Sequence, residues 1–268
     1  MTSTIHPTAV IDSNARIGNG VNIGAYCVIG PDVWLHDNVT LKPHVVLDGD
    51  TEIGSGTIVY SFASIGAAPQ DLKYNGEKTK LVIGKNNVIR EHVTMNPGTV
   101  QGGGETRVGD NSLFMVGVHV AHDCQLGNNI VMANNATLAG HVHVGNNVII
   151  GGLSAVHQWI RIGDFAIIGG MSGVENDVIP FGRVKGERAF LDGLNIIGME
   201  RNGFTKDQIK AAQRAFNELF GEQDTLEQRL QKAATDYASE EAVMRIVEFA
   251  RNKTKFPLCA PSRKQKAA

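Results

Sequence analysis

The chain is poor in aromatic residues, which make up 6% of its 268 positions. That is little for a globular core, where large rings supply much of the buried area. Cysteine is scarce too. Cys27, Cys124 and Cys259 are too few and too scattered for a disulfide framework, and a reducing cytoplasm is the expected compartment. No apolar run is long enough to cross a bilayer, so no membrane span is expected. The opening MTSTIHPTAV lacks a basic region followed by an apolar stretch, so no signal peptide is expected. Charge of one sign is also missing. A formal net charge of −2 argues against general nucleic-acid binding.

Glycine is abundant, at 31 residues, and it accompanies a strict period. An aliphatic residue returns every sixth position at Ile5, Ile11, Ile17, Ile23, Ile29, Leu35, Leu41, Leu47, Ile53, Val59 and Ile65. The period resumes at Ile83 and Ile89 and runs on from Val108 to Val174. The residue two before an anchor is small or β-branched, as at Ala9, Cys27, Thr51 and Cys124, so two of the cysteines read as core packing. A period of six fits no α-helix, whose apolar stripe recurs at three and four. It fits short strands joined by tight turns, with the anchor and the residue two before it facing the same way. Glycine after the anchor, as at Gly18, Gly24 and Gly54, is read as freedom for unusual turn dihedrals. Hexapeptide repeats of this kind mark parallel β-helices.

The expected organisation is a mainly β domain over 1–190 and a small helical domain with a basic tail over 191–268. Two insertions interrupt the repeat, at 67–80 (AAPQDLKYNGEKTK) and 97–107 (PGTVQGGGETR). Inserted loops on a repeat are where function concentrates. Thr205 opens TKDQ, a capping box, and Gly221 is the expected end of that helix. Further helices are expected from Thr225 and Ser239. The proline-broken tail after Lys253 is expected to end in disorder.

Five of the nine histidines fall between His119 and His157. If a coil takes eighteen residues, His122 stacks on Gly140 and His157 on Ala139. Strands in neighbouring coils lie about 4.8 Å apart. His122, His141 and His157 would then share one edge. Such a cluster suggests acid–base catalysis or a metal site. In HVAHD, residues 119–123, a carboxylate adjoins a histidine, although neighbours on a strand point to opposite faces.

The company of that segment narrows the reading. SIGAAPQDLKY (64–74), GTVQGGG (98–104), ANNATLAGH (133–141), GGLSAVHQ (151–158) and GLNIIGMERNGF (193–204) occur in that order. On a hexapeptide repeat with a helical end, the set resembles the UDP-N-acetylglucosamine O-acyltransferases of lipid A biosynthesis, within the hexapeptide-repeat acyltransferases. The resemblance implies a left-handed parallel β-helix and a homotrimer with active sites between subunits. It implies transfer of a 3-hydroxyacyl group from acyl carrier protein to the sugar 3-hydroxyl, with the carrier's phosphopantetheine thioester as donor and neither cofactor nor metal. His122 would be the general base, Asp123 its helper and the Gly140 N–H the oxyanion donor. Asp71, Lys73, His119, His141, His157, Gln158, Asn195 and Arg201 would contact substrate. Gly170 would set acyl length, its lack of a side chain favouring a longer chain. Asn202 and Arg188 depart from the residues usual in the family. Lys206, Lys210, Arg214, Arg251, Lys253 and Lys255 are candidates for docking the acidic carrier. Two alternatives stand beside this reading: N-acylation of a 3-amino sugar nucleotide, and a zinc-dependent γ-class carbonic anhydrase.

Overall fold

The six-residue period folds into a left-handed parallel β-helix of triangular section. The computed structural model describes residues 2–262. The expected disorder of the last residues falls at 263–268, outside the described residues.

One coil shows the plan. Thr137–Leu138 lies on face B, His143–Val144 on face C and Ile149–Ile150 on face A. Ala155–Val156 then returns to face B and pairs in parallel with Thr137–Leu138, so a coil takes eighteen residues. The turns between these strands form three corners, BC, CA and AB. Anchors and the small residues before them point inward: Val21, Ile23, Cys27, Ile29, Val33 and Leu35 are all buried. Each buried Ile or Leu contributes about 1.5–3 kcal/mol, and stacked coils merge these into one continuous core. Ile5 stays half exposed because its strand has a neighbour on one side only.

The glycine after the anchor has a different role from the one expected. A Cβ on Gly24 would lie 2.7 Å from Pro43 N, and one on Gly54 would lie 2.5 Å from Gly84 C. These glycines allow close approach of successive coils. The left-handed dihedral falls instead three residues after the anchor, at Asn38 (φ 60°), Asn86 (φ 55°) and Asn111 (φ 58°). Asparagine and aspartate tolerate that conformation better than most residues.

Both insertions leave the prism at the BC corner. The first spans residues 66–79 and the second 96–104. The second closes three residues earlier than expected, because Glu105–Val108 forms a four-residue strand paired with Lys80–Ile83. The Asn96 side chain donates to the Ala67 carbonyl at 2.9 Å and so ties the two insertions together.

Past the repeat, Gly182–Lys185 and Phe190–Leu194 pair antiparallel at the end of face A, a feature the period does not announce. Four helices follow among the described residues: α1 (Ile196–Arg201), α2 (Lys206–Leu219), α3 (Leu226–Asp236) and α4 (Glu241–Arg251). Thr205 and Thr225 cap α2 and α3 with reciprocal Gln208 and Gln228 capping boxes. Phe220, not Gly221, is the C-cap of α2, and Glu240, not Ser239, precedes α4 without a side-chain cap. The tail folds back onto the prism. Cys259 N–H donates to Asp177 O at 2.7 Å, and Asp177 N–H donates to Pro257 O at 3.0 Å. No helix among the described residues is long and apolar enough to cross a membrane.

Candidate active site

The BC corner gathers the chemistry. It carries both insertions and, in successive coils below them, His122 with Asp123, Gly140 with His141, and His157 with Gln158. The eighteen-residue coil sets that column. His141 N–H donates to His122 O, and Trp159 N–H donates to Gly140 O.

His122 and Asp123 are neighbours in sequence, yet their side chains meet. They lie in a turn rather than on a strand, and Asp123 takes the left-handed conformation at φ 61°. The alternation rule for strands therefore does not apply. His122 Nδ1 lies 2.8 Å from Asp123 Oδ2. A carboxylate accepts, so Nδ1 carries the proton and the Nε2 lone pair is left free. Asp123 is buried; its carboxylate receives two further hydrogen bonds and its backbone donates one. Thr99 N–H donates to Oδ1 at 2.7 Å, the Thr99 hydroxyl donates to Oδ2 at 2.7 Å, and Asp123's own N–H donates to the Thr106 hydroxyl at 2.7 Å.

Gly140 lies beneath the imidazole of His122. Among the described residues its N–H has no hydrogen-bond partner, so an unused donor lies in the turn beside a free ring nitrogen. An oxyanion forming there would meet a fixed N–H. His141 adjoins from below, with its ring edge-on to His122 at 5.1 Å and stacked on Trp159 at 3.7 Å. Burial pushes the His141 imidazole below its ordinary value, against the pull of Asp123 and Asp71. It is therefore neutral near pH 7, able to hydrogen-bond without adding charge. Asp71, which adds the weaker part of that pull, belongs to the first insertion. Within that insertion Lys73 N–H donates to Asp71 Oδ1 at 3.0 Å.

His119 stands beside the corner on face B, its Nδ1 2.7 Å from the Thr94 hydroxyl, and burial pushes its imidazole down. His157 donates from Nδ1 to the Gln158 carbonyl at 3.1 Å, and its ring meets Phe256 of the tail edge-on. Cys124 adjoins Asp123, but burial pushes its thiol up to about 12, which rules it out as a thiolate nucleophile at neutral pH.

Other expected residues lie elsewhere. Asn195 and Arg201 line a cavity of about 830 Å³ with Asn147 and Phe165 of the CA corner. Face C separates that corner from His122, so one chain does not bring the two groups together. Asn195 caps α1 and donates to Phe165 O at 2.9 Å. Asn202, one of the departures, donates to Gly198 O at 2.8 Å and closes α1. Gly170 lies at the third corner, AB, between the exposed Leu153 and Met171. Arg188, the other departure, sits in the exposed turn that crosses face B, where Glu187 O covers Gly173. The sequence reading missed Thr99 and Thr106. Thr99 lies within GTVQGGG, where glycine is the dominant pattern and a single threonine leaves no periodic signal.

His122, Asp123 and His141 also offer ligand atoms within 4.8 Å of one another. The carboxylate, however, is already engaged by Thr99 and His122. The geometry is that of a carboxylate-oriented histidine beside an unpartnered backbone N–H.

A β-helix of hexads bearing such a corner defines a hexapeptide-repeat acyltransferase. Residues 177–258 match the family model described as UDP-N-acetylglucosamine O-acyltransferase, domain 2. The acyl-[acyl-carrier-protein]–UDP-N-acetylglucosamine O-acyltransferase of Rickettsia canadensis is 54% identical over 92% of this chain and 94% of its own. That of Caulobacter vibrioides is 47% identical over 97% of this chain and 99% of its own. Among solved structures, the UDP-N-acetylglucosamine acyltransferase of Campylobacter jejuni matches with a TM-score of 0.91 at 40% identity, covering 97% of this chain and all of that one. The chain belongs to the acyl-[acyl-carrier-protein]–UDP-N-acetylglucosamine O-acyltransferase family. It is an acyltransferase. Neither a 3-amino acceptor nor zinc-dependent hydration finds support in these relatives.

Proposed function

We propose that this chain moves a 3-hydroxyacyl group from acyl carrier protein to the 3-hydroxyl of UDP-N-acetylglucosamine, the first step of lipid A biosynthesis. The observation that carries this is the juxtaposition of the free His122 Nε2 with the unpartnered Gly140 N–H. Nε2 takes the proton from the sugar hydroxyl as its oxygen attacks the thioester carbonyl. The carbon–oxygen bond forms, and the carbonyl oxygen becomes an oxyanion held by Gly140 N–H. Collapse breaks the carbon–sulfur bond, and the departing thiolate recovers the proton from His122. Asp123 fixes the ring and stabilises its charged form meanwhile. No acyl-enzyme forms in this scheme, in keeping with the inert Cys124.

The separation of Asn195 and Arg201 from the BC corner supports a site shared between copies. One chain would supply His122 and the other the cationic end that grips the diphosphate. Exposed apolar side chains at the upper part of face B and the AB corner, Val10, Val28, Val46, Tyr26 and Phe62, support burial against another copy. We read the assembly as a homotrimer in the cytoplasm, without cofactor or metal. Lys73 and His157 with Gln158 are assigned to substrate contact, and the exposed Lys206, Lys210 and Arg214 of α2 to the carrier protein.

The test is to incubate the enzyme with UDP-N-acetylglucosamine and a ladder of 3-hydroxyacyl carrier proteins and weigh the products. His122→Ala is expected to lose turnover while its thermal melt and assembly stay intact. Near-normal activity in that variant would overturn the base assignment.

A further inference from the structure

We propose that Thr99, in the second insertion, is a positioning residue that fixes the Asp123 carboxylate toward His122. The inference rests on the reading of His122 and Asp123 as the catalytic pair.

Thr99 is 1% exposed and spends both of its donors on one carboxylate. Its N–H reaches Oδ1 at 2.7 Å and its hydroxyl reaches Oδ2 at 2.7 Å. Two bonds from one residue to the two oxygens set the plane of the carboxylate as well as its position. That control matters because Oδ2 has two histidines within reach. His122 Nδ1 lies at 2.8 Å and His141 Nδ1 at 3.6 Å. Hydrogen bonds to an ionised group are short and strong, so small rotations decide which ring is served. The Thr99 hydroxyl biases the choice toward His122.

The insertion is built around this contact. Gly102 N–H donates to the Thr99 hydroxyl at 3.2 Å and fixes the direction of its proton. Gly104 N–H donates to the Thr99 carbonyl at 2.8 Å. A Cβ on Gly102 would fall 2.0 Å from Asp123 Cγ, so bare backbone roofs the carboxylate. At Gly98 a Cβ would meet Glu105 N at 2.2 Å, where the loop closes on itself. The glycines thus serve a threonine, and through it an aspartate that the period alone would leave unanchored.

The experiment compares Thr99→Val, which keeps the shape without the hydroxyl, with Thr99→Ser, which restores it. Both are assayed with a 3-hydroxyacyl carrier protein and UDP-N-acetylglucosamine, with His122→Ala and Asp123→Asn alongside. Thr99→Val is expected to lower kcat roughly 10- to 100-fold, the range set by one hydrogen bond to a charged group. KM for both substrates should hold within about twofold, because Thr99 touches neither. Thr99→Ser should recover kcat to within about threefold of the parent. Added to Asp123→Asn, Thr99→Val should cost little more, because the carboxylate it positions is gone. An unchanged kcat in Thr99→Val, equal losses in the Ser and Val variants, or a loss confined to KM would each overturn the proposal. If Thr99→Val does not assemble, Thr99→Ala removes the hydroxyl without adding bulk, and the same split against Thr99→Ser is required. If His122→Ala stays active, the base assignment fails; if it is inactive while Thr99→Val is normal, only the present inference fails.

Discussion

Gly140 lies directly under His122: a Cβ on residue 140 would come within 2.5 Å of His122 Cε1 and 2.8 Å of Nε2. The backbone at 140 is not left-handed, so alanine can adopt it without strain. The imidazole would have to give way instead. Gly140→Ala is therefore expected to fold and to lose about 100-fold in kcat, the scale of a 1 Å misplacement of a catalytic group. A steady-state assay beside a thermal melt checks this, and normal kcat would show that the ring need not occupy the position seen.

The pH dependence of stability has a definite sign. Desolvation pushes the part-buried His119 and His141, and with Arg161 the more exposed His143, below the ordinary value of 6.5. The unfolded chain therefore binds protons that the folded chain refuses. The stability these groups contribute is present above pH 6.5 and declines as pH falls through the folded values. Melting temperature is expected to drop between about pH 7 and pH 5. His143 lies on face C, away from the reacting corner, with Arg161 adding to its depression. In His143→Gln the drop should be shallower, and a parallel curve would show that His143 carries none of it.

How much of this was legible depends on which force sets each feature. Ile23, Leu35 and Leu41 reveal the coil because every hexad solves the same burial problem, so the signal repeats. The same arithmetic places Gly140 under His122 from spacing alone. Thr99 and Thr106 act once each, on one carboxylate, and a single polar contact leaves no period behind. The meeting of His122 with Asp123 was hidden because it depends on a left-handed dihedral at Asp123, which sequence assigned to the glycines after the anchors. The strands at Gly182–Lys185 and Phe190–Leu194 follow from the need to cover the end of the prism. That need belongs to the whole fold, so no local pattern records it.

Asp177 holds the tail to the prism. It is fully buried and receives Arg161 Nε at 2.9 Å and the Thr254 hydroxyl at 2.7 Å. Its backbone bridges to Pro257 and Cys259. Asp177→Ala would leave the Arg161 guanidinium largely buried without its partner, a loss of about 3–5 kcal/mol. Chemical denaturation should show that loss, and trypsin should cut sooner at Lys253 and Lys255. Unchanged stability and cleavage would mean that the tail is held by its apolar contacts alone.

Acyl length offers the sharpest contrast between variants. Between the BC corner, where the thioester would react, and the AB corner at Gly170, the outer surface of face B is lined by small side chains, Thr137 and Ala155. The turn at Glu187 crosses face B at Gly173 and limits the floor on that side. Gly170 is exposed and its backbone is not left-handed, and a Cβ there would meet Gly152 O at a tight but tolerable 3.3 Å. Methionine can therefore be seated without unfolding the corner, and its side chain would block an acyl chain that ran along face B to this corner. Burial of each methylene is worth about 0.8 kcal/mol, so denying a chain its last few carbons shifts preference by one to two orders of magnitude. Gly170→Met is expected to turn over shorter 3-hydroxyacyl carrier proteins at close to the parent rate and longer ones roughly 10- to 100-fold more slowly. A ladder of donors assayed one by one reads the preference directly. An unchanged profile would place the end of the acyl groove away from the AB corner.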